Sequence, residues 1–425
     1  MKIIIKISLS LLGLVGLSSY GQEFDANIQL RPRYEYRNGF KTLLKDNDLP
    51  TSFISQRSRI NFNFKQEKLK VKLTLQNVRT WGDVATKTTA DKNGIGLFEA
   101  YAQYDFNAKW SARIGRQVIS YDNQRIFGEI DWAQEGQSHD AAVFSYHPTN
   151  HQLDFGIASN ANAENLLEPA TAYTTNYKQM QFAWYHTQFG KLGMSLLVLN
   201  TGYQYAKTST ELNIANSQTY GTFLTYKTGK WDTNLGLYGQ SGKKINAVST
   251  DTNTLNAYYA GLNLGYAVNP NFKATLGYEL LSGKNQNDTS SDNKSFTPIF
   301  GTNHGFNGYM DYFYVGNHLN SVGLQDVFLK LNYTHNKWQF NLMPHLFSAP
   351  AKVYKAGNKL SGNLGTELDF TTSYAVQKDI TFTAGYSQMF ASSTLKFLKG
   401  GINNSYTNNW VFVMVSINPR IFTSK

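Results

Sequence analysis

Polar and apolar residues alternate along the first part of the chain. From Phe24 to Arg37 every second residue is polar or charged, and the residues between are mostly apolar or aromatic. A period of two is typical of β-strands, which present successive side chains to opposite faces. Residues 54–65 and 69–76 repeat the pattern. We therefore predict three amphipathic strands in succession.

The same alternation continues to the end of the chain and predicts about eighteen strands, so the fold class is all-β. After the first three, the predicted strands are residues 96–106, 109–118, 138–147, 151–160, 177–188, 191–203, 218–228, 230–242, 255–267, 271–283, 320–334, 336–348, 361–375, 379–391 and 408–418.

The predicted connections are of two alternating kinds. Those after even-numbered strands are tight turns, and those after odd-numbered strands are long and polar. The long ones are residues 38–52, 82–95, 119–137, 161–176, 204–217, 243–254, 284–319, 349–360 and 392–407. This parity is typical of transmembrane antiparallel β-barrels, with short periplasmic turns and long extracellular loops. Soluble sandwiches and propellers also have alternating strands, but not this parity.

The first residues have the pattern of an export signal. Lys2 and Lys6 precede an apolar run that is too short to span a bilayer as a helix, and Ser19 and Gly21 suit a cleavage site. We predict a signal peptide at residues 1–21 and a single barrel domain at residues 22–425, placed in the bacterial outer membrane.

Composition supports this assignment. The 425 residues include no cysteine, which excludes disulfides and thiolate metal sites, but 27 tyrosines and 27 phenylalanines. Trp110, Trp231 and Trp338 each begin a predicted strand just after a tight turn. Amphipathic rings prefer the headgroup level of a bilayer, so we expect an aromatic girdle in contact with outer-membrane lipid.

Charge is concentrated early in the chain. The formal net charge is +11, and all arginines but Arg420 precede residue 130. Because lipid requires an apolar outer face, the polar residues are predicted to line the lumen. The inward cations of the first strands are Arg31, Arg33, Arg57, Arg59, Arg113, Lys65, Lys70 and Lys72. They suit a wall that binds carboxylates. Alternatively, they pair with inward acids such as Glu35 and Glu367 in a structural ladder.

Eighteen strands enclose a lumen wide enough for water unless something fills it. The candidate fillers are residues 119–137, which are densely charged, and 284–319, which are rich in glycine and aromatic residues. We expect the second to pack as a lid or to fold inward, and leave open whether either loop occludes the pore.

Several motifs stand out along the chain. The most specific are Gly115-Arg116-Gln117, Tyr121-Asp122, Arg125, Gly128, Trp132 and Asp140-Ala141. Supporting motifs are Arg57-Ser58-Arg59, Gln76-Asn77-Val78-Arg79, Trp81-Gly82-Asp83 and Gly305-Phe306-Asn307-Gly308-Tyr309-Met310-Asp311. In these motifs the chain resembles the alginate-export outer-membrane proteins, which are single-chain barrels of eighteen strands.

The resemblance implies a passive outer-membrane channel for an anionic polysaccharide or oligosaccharide, an alginate-like polyuronate. It also implies that inward basic residues at a constriction select the polymer, a role carried over to Arg57, Arg59, Arg79, Arg113, Arg116 and Arg125. We add Arg31 and Arg33 to these candidate selectivity residues because the strand alternation, and not the resemblance, turns them inward. No cofactor is implied.

Other functions remain open. A general anion-selective porin for small acids would use the same inward cations, and a non-transport barrel would serve an enzymatic or adhesive role. The eight histidines are scattered, so we assign no catalytic or metal-binding residue. We expect no nucleic-acid partner, because the basic residues face inward, and a periplasmic partner is left open.

Overall fold

The alternating segments pair into one closed sheet. In the computed structural model, which describes residues 22–209, 211–246, 250–314, 316–318, 321–400 and 407–424, eighteen antiparallel strands form a barrel. The predicted signal peptide, residues 1–21, lies outside the described residues. Within these ranges, no helix is both long and apolar enough to cross a bilayer.

The eighteen strands follow each other around the barrel in chain order. They are β1 (Gln22–Asn38), β2 (Thr51–Gln66), β3 (Leu69–Thr80), β4 (Gly96–Asp105), β5 (Trp110–Gln117), β6 (His139–Tyr146), β7 (His151–Ser159), β8 (Gln179–Phe189), β9 (Leu192–Ala206), β10 (Leu212–Thr228), β11 (Trp231–Ile245), β12 (Thr252–Asn269), β13 (Phe272–Leu281), β14 (Leu324–His335), β15 (Trp338–Ser348), β18 (Asn363–Gln377), β19 (Ile380–Ala391) and β20 (Asn408–Ile417). The prediction of about eighteen strands is confirmed.

Three short strands and one short helix complete the described secondary structure apart from a single 3-10 turn at Asn303–Gly305. Strands β16 (Tyr354–Lys355) and β17 (Asn358–Lys359) form a small hairpin, and β21 (Arg420–Thr423) follows β20. Helix α1 (Ser393–Leu398) begins at Ser392, whose side chain accepts a hydrogen bond from the backbone N–H of Leu395.

The barrel closes where the first strand meets the last. Strand β1 pairs with β2 on one side, for example Arg31 with Arg57, and with β20 on the other, for example Tyr36 with Val411. Strand β21 extends the seam by pairing with the start of β1. Closure matters because an open sheet edge would leave backbone groups without hydrogen bonds in lipid.

The two rims of the barrel differ in the length of their connections. At one rim the strands are joined by short turns, such as residues 67–68 and 190–191. At the other rim most connections are longer. Two of the predicted long loops, 204–217 and 243–254, were wrong in extent, because β9–β12 continue through most of them and leave only 207–211 and 246–251.

The outer face of these strands becomes polar just before the extensions begin. Asn200 donates a hydrogen bond to Gln181 at 2.7 Å and accepts one from Gln218 at 2.8 Å, across neighbouring strands. Apolar residues such as Val198 occupy the outer face just before them and are exposed. We call the apolar part of the outer face, which on β9 ends near Val198, the apolar belt. Strands β9–β12 extend beyond this belt, away from the short turns, and their outer face is polar there.

Aromatic pairs ring the rim with the short turns. Trp110 lies opposite Tyr146, Trp231 opposite Tyr266, and Trp338 opposite Tyr374. Their ring centroids are 4.4, 4.8 and 4.6 Å apart, respectively. All three tryptophans are partly exposed, as amphipathic rings at a bilayer interface should be.

The inner face differs from the prediction in one half of the barrel. Near the longer connections, inward positions are often apolar: Leu197 is 3% exposed inside, whereas Val198 is 57% exposed outside. Together with Met180, Phe182 and others, such residues form one buried core inside the barrel. The prediction that polar residues line the whole lumen was therefore wrong, because loops fill this half and pack against the strands.

Gly115, from the most specific motif, occupies a position that only glycine fits. Its φ is +122°, and a Cβ there would lie 2.3 Å from the carbonyl oxygen of Ala100. We predict that Gly115→Ala lowers the free energy of unfolding by roughly 2–5 kcal/mol, from backbone strain and overpacking together.

The measurement is denaturant unfolding of the purified barrel. Gly229→Ala is the matched control, since Gly229 has a φ of +55° but open space around it. It should cost only about 1–2 kcal/mol. Equal losses in the two variants would contradict the close-contact explanation.

Candidate functional site: two loops latched across the lumen

Two connections fold into the barrel instead of extending away from it. We call residues 118–138 the inner loop and residues 282–323, apart from the undescribed positions 315, 319 and 320, the long loop. Phe127 of the inner loop stacks on Phe300 of the long loop with ring centroids 5.5 Å apart. Met310 and Tyr312 of the long loop are completely buried. The interpretation of these two segments as candidate fillers of the lumen agrees with this geometry.

Asp131 ties the inner loop to the wall formed by β1 and β2. Its carboxylate lies 3.1 Å from Arg31 Nη1 and 2.7 Å from Arg57 Nη2. Arg57 is 0% exposed and Arg31 is buried. A buried guanidinium needs an anion and several acceptors, and this loop supplies them.

Backbone carbonyl groups of the inner loop complete the arrangement. Arg33 Nη1 donates to the carbonyl oxygen of Trp132 at 2.7 Å, and its guanidinium lies 4.1 Å from the centroid of the Trp132 ring. Arg59 Nη2 donates to the carbonyl oxygen of Glu135 at 3.2 Å. Gln134 accepts from Arg31 Nε and donates to Ser55. Four arginines thus hold residues 131–135 against the wall.

Arg125 ties the other end of the inner loop to a different wall. It lies 2.9 Å from Glu279 Oε2 on β13, and it donates to Asn307 of the long loop at 2.7 Å. Asn307 in turn donates to Glu279 and to Asp326 on β14. One buried arginine therefore joins both loops to the barrel.

An acidic wall on β13, β14 and β18 holds the long loop. Its members are Glu279, Asp326, Glu367 and Asp369, all buried. The backbone N–H of Met310 donates to Glu367 at 2.7 Å, and that of Tyr309 donates to Asp369 at 3.1 Å. His345 Nδ1 lies 2.9 Å from Asp326.

Opposite charges thus fix the inner loop at both ends. Burial alone would raise the pKa of Asp131, but the positive charges of Arg57 and Arg31 outweigh it and hold that pKa below its ordinary value. Asp131 is therefore ionised at neutral pH. We call the Asp131 contacts with Arg31 and Arg57, together with the Arg125–Glu279 pair, the latch.

Two of the predicted selectivity arginines lie on the outer face. Arg79 is opposite Gln56, one position out of phase with the inward Arg57, and pairs with Asp91. Arg116 is one position beyond the inward Gly115 and pairs with Asp140 at 2.8 Å. Strand β5 runs on to Gln117, within the predicted strand 109–118, so the strand alternation places Arg116 on the outer face. Their predicted place at a lumenal constriction was therefore wrong.

The other six predicted arginines divide into two groups. Arg31, Arg33, Arg57, Arg59 and Arg125 are buried against the loops. Arg113 faces the lumen below the inner loop, with its guanidinium 5.3 Å from the centroid of the Tyr101 ring. None of the described residues forms an ion pair with Arg113.

The lumen below the loops is polar. A cavity of about 710 Å³ at the short-turn rim is lined by Lys65, Lys70 and Lys72, which pair with Glu23, Asp105 and Glu99, respectively. A second cavity, of about 260 Å³, lies under the long loop beside Lys330. No carboxylate of the described residues is within ion-pair distance of Lys330.

Several residues of the site were not identified from the sequence. Gln134, Asn307, Asp326 and His345 all contact the latch or the acidic wall. The sequence offered one signal for the acidic wall, which was the inward position that strand alternation gives to acids such as Glu279, Glu367 and Asp369. Within the described ranges, no cluster of three or more histidine or acidic side chains is arranged to hold a metal ion.

Comparison with known families identifies the chain. A family model described as alginate export matches residues 22–405. The chain belongs to the alginate export family. It is a porin-like barrel of the bacterial outer membrane, and alginate export proteins are transport proteins, not enzymes.

Solved structures with the same fold share little sequence with this alginate export family member. Pseudomonas aeruginosa OpdL is 11% identical, with a TM-score of 0.62 over 94% of this chain and 99% of OpdL. Acinetobacter baumannii OccAB4 is 13% identical, with a TM-score of 0.62 over 95% of this chain and 99% of OccAB4. P. aeruginosa OpdK, solved with vanillate, is 12% identical, with a TM-score of 0.60 over 93% and 98%. No curated protein matched the sequence.

Removing the carboxylate of the latch should release the inner loop. We predict that Asp131→Asn costs on the order of 1–3 kcal/mol in the free energy of unfolding, because Arg31 and Arg57 lose their anion. It should also speed hydrogen exchange in residues 118–138. Asp140→Asn is the matched control, because it removes the acid partner of the more exposed Arg116. Equal exchange in both variants would rule out the latch.

The latch should also resist mild acid. Because the folded-state pKa of Asp131 is depressed, its contribution to stability is complete above the unfolded-state pKa and is lost as the pH falls through the folded-state pKa. Hydrogen exchange in the inner loop, corrected for its intrinsic pH dependence, should stay constant from neutral pH down to about pH 4 and rise only below it. Loosening at pH 6 would point to a different titrating group.

Proposed function

We propose that the protein is a passive channel for anionic saccharides, with alginate-like polyuronates as the first candidates. The observation that carries this proposal is the pair of lumen-facing cations, Arg113 and Lys330, which lack a carboxylate partner among the described residues. A cation without an internal anion attracts anions from solution. Membership of the alginate export family supports the same solute class.

The neutral side chains of the lumen suit a hydroxylated solute. Asn61 donates to Asn27 at 2.7 Å, Asn263 donates to Asn234 at 2.9 Å, and Asn341 donates to Thr371 at 3.0 Å. Amides and hydroxyls offer both donors and acceptors, so they can replace the water that a sugar loses on entry. A polyuronate presents both features, a carboxylate and hydroxyl groups on every residue.

The arginines take two roles in this proposal. The buried Arg31, Arg33, Arg57, Arg59 and Arg125 act structurally, because their guanidinium groups are occupied by the loops. They fix the width of the channel by holding the inner loop in place. Arg113 is the member of the predicted set that meets the solute directly, with Lys330 as its counterpart on β14.

We further propose that the short turns face the periplasm and the longer connections face outside, as is usual for outer-membrane barrels. A barrel of this kind has no energy source of its own. Net flux therefore follows the gradient of the solute, and both export and uptake are compatible with the structure.

A second candidate function is a channel for single small organic acids. The loops fill much of the lumen, and the remaining cavities include spaces of about 340 and 260 Å³. These volumes fit one small molecule better than a polymer. The similar structure of OpdK was solved with vanillate, a small acid.

Planar-bilayer conductance separates these candidates. We expect anion-selective current from the wild-type protein, and block by alginate oligomers. Arg113→Gln with Lys330→Gln should move the reversal potential toward zero and weaken the oligomer block about tenfold, since charge-assisted hydrogen bonds to the solute are lost. The double variant should fold like the wild type, because neither side chain is in an ion pair.

Arg116→Gln with Lys87→Gln is the matched control, because Arg116 lies on the same strand as Arg113 but on the outer face, and Lys87 is exposed in the connection between β3 and β4. It should leave selectivity and block unchanged. Block by small acids but not by oligomers would select the second candidate. A wild-type barrel that conducts no current would overturn both.

A further inference from the structure

The extended strands β9–β12 and the long loop enclose a cavity that the channel proposal does not use. Its volume is about 340 Å³. Apolar or aromatic side chains make up half of its lining, among them Tyr203, Leu255 and Ile299, and the polar half includes Lys243 and Lys244. It thus combines apolar walls with several polar groups, which is the usual character of a small-ligand site.

The cavity lies above the apolar belt. Tyr203 is opposite Ala215 on the next strand, and both lie farther from the short-turn rim than Asn200 and Gln218. Those two residues mark the polar part of the outer face. The cavity is therefore at the mouth of the barrel on the side of the longer connections, where solutes in water can reach it.

Gln240 fixes the floor of the cavity. Its amide donates to the carbonyl oxygen of Thr297 at 2.7 Å and to Thr219 at 3.0 Å, and it accepts from the backbone N–H of Thr297 at 3.0 Å. These three hydrogen bonds engage both the amide nitrogen and the amide oxygen of Gln240, and so hold its side chain in one orientation. The long-loop wall of the cavity is thereby pre-formed, which lowers the entropic cost of binding.

Lys244 supplies an unbalanced positive charge. Its ammonium group donates to Thr297 Oγ1 at 3.3 Å, and no carboxylate of the described residues lies within ion-pair distance. An ammonium group carries three donors, and placing it beside apolar walls without an anion is unfavourable. An anion that enters the cavity would remove this cost.

We propose that this cavity is a capture site for a small amphipathic carboxylate, such as a monocyclic aromatic acid. The carboxylate pairs with Lys244, and the apolar body packs against Tyr203, Leu255 and Ile299. A uronate sugar fits less well, because its hydroxyl groups would face apolar walls and lose hydrogen bonds to water. This assignment deepens the small-acid candidate function, but binding here does not require that the barrel conducts.

Calorimetric titration of the full chain in detergent micelles with benzoate tests the proposal. Heats from empty micelles are subtracted to remove partitioning. We expect saturable binding of benzoate, with benzamide and glucuronate each at least about tenfold weaker, because one lacks the charge and the other the apolar face. Binding of glucuronate as tight as that of benzoate would overturn the ligand class.

Lys244→Met should weaken benzoate binding about tenfold or more, and Lys244→Arg should retain most of it. Lys227→Met is the control, since that lysine is exposed near the other end of β10. Circular dichroism checks that each barrel is folded. Equal affinity in Lys244→Met and wild type, or no saturable binding to wild type, would overturn the site. Neither result would alter the conductance measurements, so failure of this site and failure of the channel can be told apart.

Discussion

The pairing of buried arginines with the inner loop is the interaction on which the rest of the structure depends. Arg31, Arg33 and Arg57 project from the barrel wall and are buried beneath the inner loop, where an unpaired guanidinium would be strongly unfavourable. Residues 131–135 supply the carboxylate and the carbonyl oxygens that these groups require. At its other end the same loop offers Arg125 to an acidic wall. A loop with this charge pattern can satisfy both walls in only one orientation.

This constraint explains why the barrel has an apolar interior at one end. Once the inner loop is held across the lumen, the long loop packs on it through Phe127 and Phe300, and nearby strands bury apolar side chains on their inner face. Where these strands still lie within the apolar belt, as at Leu197 and Val198, both of their faces are apolar. The other half of the lumen stays polar, and Arg113 and Lys330 lie there.

Local pattern was enough to predict the barrel, but not the site. Period-two alternation identified the strands and their inward residues, since a strand in lipid must keep one face apolar. Arg79 and Arg116 were misplaced for a clear reason: their lumenal role came from the family resemblance, whereas the alternation that turns Arg57 and Gly115 inward turns Arg79 and Arg116 outward. The latch joins Asp131 to Arg57 across 74 residues of sequence, and no local pattern encodes such a contact. The full length of β9–β12 was also not predicted, because polar residues on the part of a strand that faces water resemble the residues of a loop.

The position of Trp132 at the barrel seam links the plugging of the lumen to assembly. Its ring packs edge-on against Trp410 and Phe412 of β20, and Trp410 donates a hydrogen bond to Glu35 of β1. These partners come from the first and last strands of the ring, which meet only when the barrel closes. The inner loop therefore completes its contacts only where the first and last strands meet. The same aromatic cluster serves both the seam and the plug, so the stability of barrel closure and the stability of the plugged lumen are coupled through Trp132.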